Sequence, residues 1–246
     1  MDILKTHEQR SFRRNALLTS FAAFALAFVL WNVEAISPLL YPLRLFVTFV
    51  HESGHGLAAI LTGGALNSFV VNPNGSGYAL TSGGSLAIIL PAGYLGAAFF
   101  GALLFYLTNT VRYTRGIAFA LGAGLIVLTL LFTWSSPIAL LVGLVSGVLL
   151  CLLGWKGGRV INLLVLNTLA VATALNAVLD LVGLISNTDA RLGAVRNDAA
   201  AFSAAVAPFV PPVVWVVLWV GIAIAALGVA LYYSIIHPLR RDDWAL

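Results

Sequence analysis

Residues 49–59 read FVHESGHGLAA and place two histidines and a glutamate inside an apolar run long enough to cross a bilayer. On a helix, His51 and His55 lie one turn apart on one face, so both imidazoles can bind one metal ion, with Glu52 beside them. This spacing is typical of zinc hydrolases, in which the glutamate handles a proton. Ionisable residues within a membrane span are functional candidates by default, which favours a metal site over a hydrogen-bonded pair of core histidines.

The composition indicates an integral membrane protein. Hydrophobic residues make up 61% of the 246 residues and charged residues 9%, whereas soluble domains have about half and about a quarter. The apolar runs are too long for strands, so we expect an all-α polytopic bundle and not a barrel. The basic clusters at the ends of these runs suit the lipid bilayer, and nucleic acid is not expected as a partner. The single cysteine, Cys151, excludes an intramolecular disulfide and a cysteine zinc site.

The apolar runs predict a single membrane domain over residues 1–246. We expect about seven spans, and the second of them contains the motif. A polar, amphipathic segment between the last two spans, residues 186–207, carries Asp189 and Asp198 and is expected at the membrane surface. The predicted spans are Ala16 to Val33, Leu39 to Leu61, Leu86 to Thr108, Gly116 to Trp134, Pro137 to Trp155, Val160 to Ile185 and about Pro212 to Ile236.

The segment from Thr62 to Ser85 interrupts the helical pattern directly after the motif. Two β-prone pieces, Ser68 to Val71 and Tyr78 to Thr81, flank the turn sequence NPNG at residues 72–75. This arrangement predicts a short β-hairpin, with a plain connecting loop as the alternative. Because the segment has no charge to draw it into water, we expect the hairpin to act beside the motif helix.

The basic residues give conflicting indications of orientation. The cluster at residues 10–14 precedes the first span and predicts a cytoplasmic N-terminus. With seven crossing spans, His55 would then lie towards the cytoplasmic side. The basic pairs Arg112/Arg115 and Lys156/Arg159 would both lie outside, although the positive-inside rule favours the opposite placement.

A catalytic zinc ion usually takes three protein ligands and leaves a position for a water whose pKa falls towards neutrality. Asp180 is the only carboxylate besides Glu52 well inside a predicted span. It lies about 9 Å before the end of its span, as does His55 in its own. If every intervening span crosses, the two residues share one level. Asn176, one turn before Asp180, would hydrogen-bond that carboxylate or the substrate.

The chain resembles the site-2-protease family of intramembrane zinc metalloproteases. The resemblance rests on HESGHG at residues 51–56, on the Gly-Gly and predicted hairpin that follow, and on an aspartate in a later span. It covers a metalloprotease-like core of roughly Leu39 to Ile185. The layout is closest to small bacterial members without an extra soluble domain, which implies a multi-pass protein of a bacterial cell membrane. The family commonly carries its aspartate in an Asn-x-x-Pro-x-Pro-x-x-Asp-Gly pattern, and NAVLDLVG at residues 176–183 lacks both the prolines and the adjacent glycine.

The resemblance implies an endopeptidase in which His51, His55 and Asp180 hold zinc. Glu52 would act as the general base towards the zinc-bound water. The substrate would be a locally unwound transmembrane segment of another membrane protein, held by β-addition to the hairpin. One alternative is a non-proteolytic metal-binding scaffold, which would keep the histidines without needing Glu52. The other is a transporter, which would place buried carboxylates along a polar path, whereas here the polar residues gather at one depth.

Overall fold

Long apolar helices dominate the computed structural model, which describes residues 2–33, 38, 40–186, 191–192 and 195–240. Among these residues, six helices are long and apolar enough to cross a membrane. The predicted all-α, multi-pass fold is therefore confirmed. The six are α1 (Asp2–Asn32), α4 (Ala92–Thr110), α5 (Thr114–Phe132), α6 (Pro137–Lys156), α7 (Arg159–Ser186) and α9 (Pro212–Leu231), the last continued by a π-helical turn (Tyr232–Ile236) and α10 (His237–Arg240).

The motif helix is α2 (Tyr41–Leu61), and it is not among the six candidate spans. Its apolar residues are interrupted by Arg44 and by the polar motif itself. The helix ends where Thr62 bonds back to the carbonyl of Ala58 and Gly63 takes a φ of 85°, a backbone conformation that glycine adopts without a steric cost. The second predicted span, Leu39 to Leu61, is thus a helix that the structure does not place among the candidate membrane spans.

The predicted β-hairpin forms, and it is longer than the sequence indicated. Strands β1 (Ala65–Val71) and β2 (Gly77–Ser82) pair antiparallel, with Phe69 opposite Ala79. The turn lies against the start of α2, where the Tyr41 hydroxyl donates to the Pro73 carbonyl at 2.8 Å. At the end of β1, the Val71 amide donates to the Ser136 hydroxyl at 3.1 Å, and that hydroxyl donates to the Val71 carbonyl. The hairpin is therefore held by α2 on one side and by the α5–α6 connection on the other.

Polar contacts between helices fix the directions of α1, α4 and α7. Arg159 pairs with Glu8 at 3.0 Å, and Asn167 donates to Thr19 at 3.2 Å, so α1 and α7 run parallel. Asn109, near the end of α4, hydrogen-bonds Asn167 at 2.8 Å, and Gly101, two turns earlier in α4, packs against Ala174, two turns later in α7. Helix α4 therefore runs antiparallel to α1 and α7.

The remaining spans alternate in the same way. Gly154, near the end of α6, packs on the Arg115 carbonyl near the start of α5, so these two helices are antiparallel. Pro238, just after α9, lines a cavity of about 150 Å³ together with Arg13 and Arg112. We call the side where α1, α5 and α7 begin and α4, α6 and α9 end the N-face. The other side is the far face.

The alternating directions of the spans show from which face of the bundle the motif helix α2 enters. Helix α1 ends at the far face, and α4 begins on that side, because it runs back to the N-face. Helix α2, the β-hairpin and the short helix α3 (Leu86–Ile89) lie between these two spans. They are therefore an insertion from the far face and not an additional crossing. The connection from α7 to α9 lies on the same side and contains β3 (Arg191–Leu192), β4 (Val195–Arg196) and α8 (Asp198–Val206).

Candidate metal centre

The two motif histidines point their Nε2 atoms at one place. The 3.6-residue period puts His51 and His55 on one face of α2, with 3.1 Å between their Nε2 atoms. The Nδ1 atom of His55 lies 2.7 Å from the carbonyl oxygen of Ile89 in α3. A carbonyl only accepts, so Nδ1 donates and Nε2 of the neutral ring keeps a free lone pair. Metal-binding histidines are commonly oriented by such a bond.

A third ligand comes from the first residue of α8. The Oδ2 atom of Asp198 lies 3.3 Å from Nε2 of His51 and 3.4 Å from Nε2 of His55. The side chain of Asn197 caps the helix by accepting from the Ala200 amide at 3.0 Å. Phe202, one turn further, packs against two tryptophans of α9, with ring centroids 4.7 and 5.6 Å apart. The cap and the aromatic packing thus fix the helix start that carries Asp198.

The surroundings of Asp198 favour its ionised form. Burial acts to raise the pKa of this carboxyl, but when His55 is protonated its charge, together with the hydrogen bonds that both imidazoles donate, outweighs burial and lowers the pKa. The result is an anionic oxygen directed at two imidazole nitrogens. This is a donor set of the kind that divalent zinc prefers.

The spacing of these three atoms fits a metal ion. We call His51, His55 and Asp198 the three-ligand group, whose ligand atoms all lie within 4.8 Å of one another. Tetrahedral zinc with bonds of about 2.0–2.1 Å would separate its ligands by roughly 3.3 Å. The separations of 3.1, 3.3 and 3.4 Å are close to that value. The three-ligand group could therefore hold a metal.

A glycine of α4 leaves room at the point where the three ligands converge. A Cβ on Gly93 would overlap the Nε2 atoms of both histidines. The close approach of α4 to α2 also depends on Gly54, because a Cβ there would overlap the carbonyl oxygen of Ala92. Next to Gly93, the Tyr94 ring packs edge-on against His51 with centroids 4.5 Å apart. The first turn of α4 thus forms one wall of the site.

Glu52 lies beside the group with an unsatisfied carboxylate oxygen. The residue is 4% exposed, and its Oε2 atom has no hydrogen-bond partner among the described residues. A Cβ on Gly77, the first residue of β2, would lie only 2.6 Å from Oε1 of Glu52. A buried carboxylate without a partner is costly to keep, which favours a functional role. The free oxygen is available to a proton donor that enters the site.

Asp180 does not take the position that the sequence analysis gave it. It lies outside the three-ligand group, and its carboxylate accepts a hydrogen bond of 2.6 Å from Asn176 on the same helix. The hydrogen bond expected of Asn176 is therefore present, whereas the third atom that converges with the two imidazoles is that of Asp198. Asp180 is nevertheless close enough to His51 for their charges to interact, so it lies near the three-ligand group without contributing a converging ligand atom.

Two residues of the site were not predicted from the sequence. Asp198 lies in a polar segment expected at the surface, yet α8 turns inward, with Ala199 and Phe202 buried. Its signal was local, because Asn-Asp before an alanine-rich run indicates a helix start. Gly93 carries no signal of its own, because nothing in one sequence relates it to the histidines.

Comparison with known families gives one match. Residues 20–230 match the family model described as Peptidase M50B-like. The matched region covers more than half of the chain and includes the motif and Asp198. No curated protein and no solved structure matches the chain.

The role of Gly93 can be tested by its replacement with alanine. The added methyl group would occupy the point where the ligands converge, so Gly93→Ala should abolish metal binding while the helices remain folded. Gly96→Ala is the matched control, since a Cβ there would meet only the Gly54 Cα at 3.4 Å. Metal content of the purified variants, measured by mass spectrometry, checks the prediction. Equal metal content in both variants would contradict it.

Proposed function

Because the chain belongs to the Peptidase M50B-like family, we propose that it is a zinc-dependent intramembrane endopeptidase. Membership of this family indicates a peptidase, and six apolar helices indicate a multi-pass membrane protein. The observation that carries the proposal further is the buried, unpartnered Glu52 carboxylate beside the three-ligand group. A metal-binding group and a free base side by side are what peptide hydrolysis requires.

Under this proposal, His51, His55 and Asp198 hold the zinc ion. Two imidazoles and one carboxylate form a donor set known from catalytic zinc sites, which leave one position open. When bound, zinc would lower the pKa of a water molecule and polarise a peptide carbonyl. The hydrogen bond from His55 to Ile89 keeps one imidazole oriented for binding.

Glu52 carries the proton in the proposed reaction. Its buried position excludes bulk water, so the carboxylate accepts a proton from the attacking water rather than from solvent. It then passes that proton to the amine nitrogen as the carbon–nitrogen bond of the peptide breaks. Water adds across the bond: its hydroxyl group stays on the carbonyl carbon, which becomes the new acid, and its other proton goes to the new amine.

The hairpin supports a proposal for how substrate binds. Among the described residues, β2 pairs with β1 alone, and β1 is held at Val71 by Ser136. The free edge of β2 begins at Gly77, next to Glu52. An extended peptide added to that edge would therefore pass the general base. Since a helix keeps its carbonyls in internal hydrogen bonds, a transmembrane substrate must unwind locally to bind there.

A non-proteolytic metal-binding scaffold is the alternative that deserves a direct comparison. Such a protein would need the three ligands but not a buried, unpartnered Glu52. A transporter would need a polar route from one face to the other, whereas the polar residues of this site gather near the far face. Removal of the base therefore separates the peptidase from the scaffold.

Glu52→Gln should keep the metal and the fold but lose hydrolysis. The amide preserves the shape of the side chain and cannot accept the proton, so turnover should fall on the order of a hundredfold or more. The assay is cleavage of a model transmembrane substrate by purified protein, with metal content measured on the same sample. Undiminished turnover would favour the scaffold.

Replacing each of the two candidate carboxylates with alanine identifies the third ligand. Asp198→Ala should weaken zinc binding by at least about tenfold, because even residues that only orient a ligand are worth roughly 10–100-fold in affinity. Asp180→Ala is the control and should bind zinc like the wild type. Titration of metal-free protein with zinc gives both affinities. The opposite ranking would show that Asp180 is the ligand.

Proline substitutions in β2 test the free edge. The backbone amides of neighbouring strand residues point to opposite edges of the strand. Of the variants Ala79→Pro and Leu80→Pro, one therefore removes an amide that donates to β1, and the other, the outward variant, removes an amide on the free edge of β2. The outward variant should keep its unfolding temperature and zinc content but cleave the substrate slowly. Normal cleavage by both variants would show that the hairpin only connects α2 to α3 and does not bind substrate.

A further inference from the structure

Tyr94 brings a phenol to the wall of the metal centre. It follows Gly93, where a Cβ would overlap both imidazoles, and its ring packs edge-on against His51 with centroids 4.5 Å apart and 83° between the ring planes. The start of α4 is itself pressed against α2, because a Cβ on Gly54 would overlap the carbonyl oxygen of Ala92. The ring is therefore held beside the ligands both by its backbone and by its packing.

The hydroxyl group of Tyr94 lies among the acidic groups of the site. It is near enough to Asp198, Asp180 and Glu52 for its charge to interact with all three carboxylates. Within the described part of the chain, this hydroxyl has no hydrogen-bond partner, and the residue is only partly buried. The oxygen is thus available to a ligand that enters the site.

Tyr94 offers a kind of group that the neighbouring side chains do not. The ionised carboxylates of Asp198 and Glu52 only accept hydrogen bonds, and His55 directs a lone pair at the point where the ligands converge. A phenol titrates near pH 10, so at pH 7 the hydroxyl keeps its proton and can donate. The site therefore combines a set of acceptors with a donor from a different helix.

The donor and the base approach the site from opposite sides of α2. Glu52 lies against Gly77 of β2, whereas Gly54 lies against the start of α4, which carries Tyr94. Positions two apart on an α-helix differ by about 200° in direction, and the two imidazoles lie between them. A peptide added to the free edge of β2 would therefore have the base beside it and the phenol across the metal centre.

We infer that the Tyr94 hydroxyl donates a hydrogen bond to the carbonyl oxygen of the scissile peptide as negative charge develops there. This role rests on the proposed peptidase function. When the water oxygen bonds to the carbonyl carbon, the π electron pair of the carbonyl bond moves onto its oxygen, and it returns when the carbon–nitrogen bond breaks. The phenol keeps its proton throughout. Tyr94 stabilises charge, whereas Glu52 carries the proton.

Tyr94→Phe removes the hydroxyl and keeps the ring that packs on His51. The kcat for a model transmembrane substrate should fall at least about tenfold, because loss of one donor to a developing oxyanion typically costs on the order of 10²–10³ in rate. KM and zinc affinity should stay within about twofold of the wild type, since the bond forms only in the transition state. Loss of zinc affinity would assign Tyr94 a structural role and overturn the inference.

Tyr106→Phe is the matched control. It makes the same change on the same helix, about 18 Å further along at 1.5 Å per residue, where Tyr106 is 39% exposed. This variant should keep the kcat, KM and zinc affinity of the wild type. An equal fall of kcat in both variants would show a general effect on α4 and would overturn the inference.

Binding of a peptide phosphinate separates the donor role from the peptidase function. Its tetrahedral phosphorus imitates the carbon that forms when water adds, and binding needs no turnover. The affinity of the zinc-loaded protein for the phosphinate, measured by calorimetry, should fall in Tyr94→Phe by the same factor as kcat. An unchanged affinity, or a wild type that binds no phosphinate, would overturn the inference whatever the rates. Weaker binding by Tyr94→Phe with no cleavage by the wild type would contradict the peptidase function and leave the donor in place.

Discussion

Three electron-rich atoms, Nε2 of His51, Nε2 of His55 and Oδ2 of Asp198, lie 3.1–3.4 Å apart in a protein made largely of apolar helices. Their lone pairs converge, so a metal ion or shared protons must lie between them. Three neighbouring helices hold these atoms in position. Helix α2 places two imidazoles on one face, α8 places the carboxylate at its capped start, and Gly93 of α4 leaves the space between them.

Bringing that group below a membrane surface creates a second requirement, which is to satisfy the backbone of the inserted segments. A hairpin surrounded by lipid would expose unpaired amides and carbonyls at high cost. Here Tyr41 and Thr48 of α2 donate to carbonyls of the turn, and Ser136 serves both polar groups of Val71. The described contacts leave the outer edge of β2 without a strand partner. A site that hydrolyses extended peptides would use such an edge, next to the buried Glu52.

The sequence was sufficient for the parts that depend on local pattern. Apolar run length predicted the six candidate spans, the histidine spacing put two imidazoles on one helix face, and the Asn-Gly turn predicted the hairpin. It failed where the outcome depended on how many segments cross. Counting α2 as a span put Arg112 and Arg159 on the side opposite the N-terminus, whereas both lie beside the first turns of α1. A single sequence shows neither that a polar helix enters without crossing nor that a polar connection such as α8 turns inward, since both depend on long-range packing.

X-ray absorption at the zinc edge of the zinc-loaded protein tests the central claim most directly, because it reports the atoms around the metal. The account predicts scattering from two imidazoles at about 2.0–2.1 Å together with oxygen ligands and no sulfur. Loss of one oxygen neighbour in Asp198→Ala, with both imidazoles retained, would identify the third ligand. A spectrum with sulfur from Cys151, or with fewer than two imidazoles, would contradict the assignment of the metal centre.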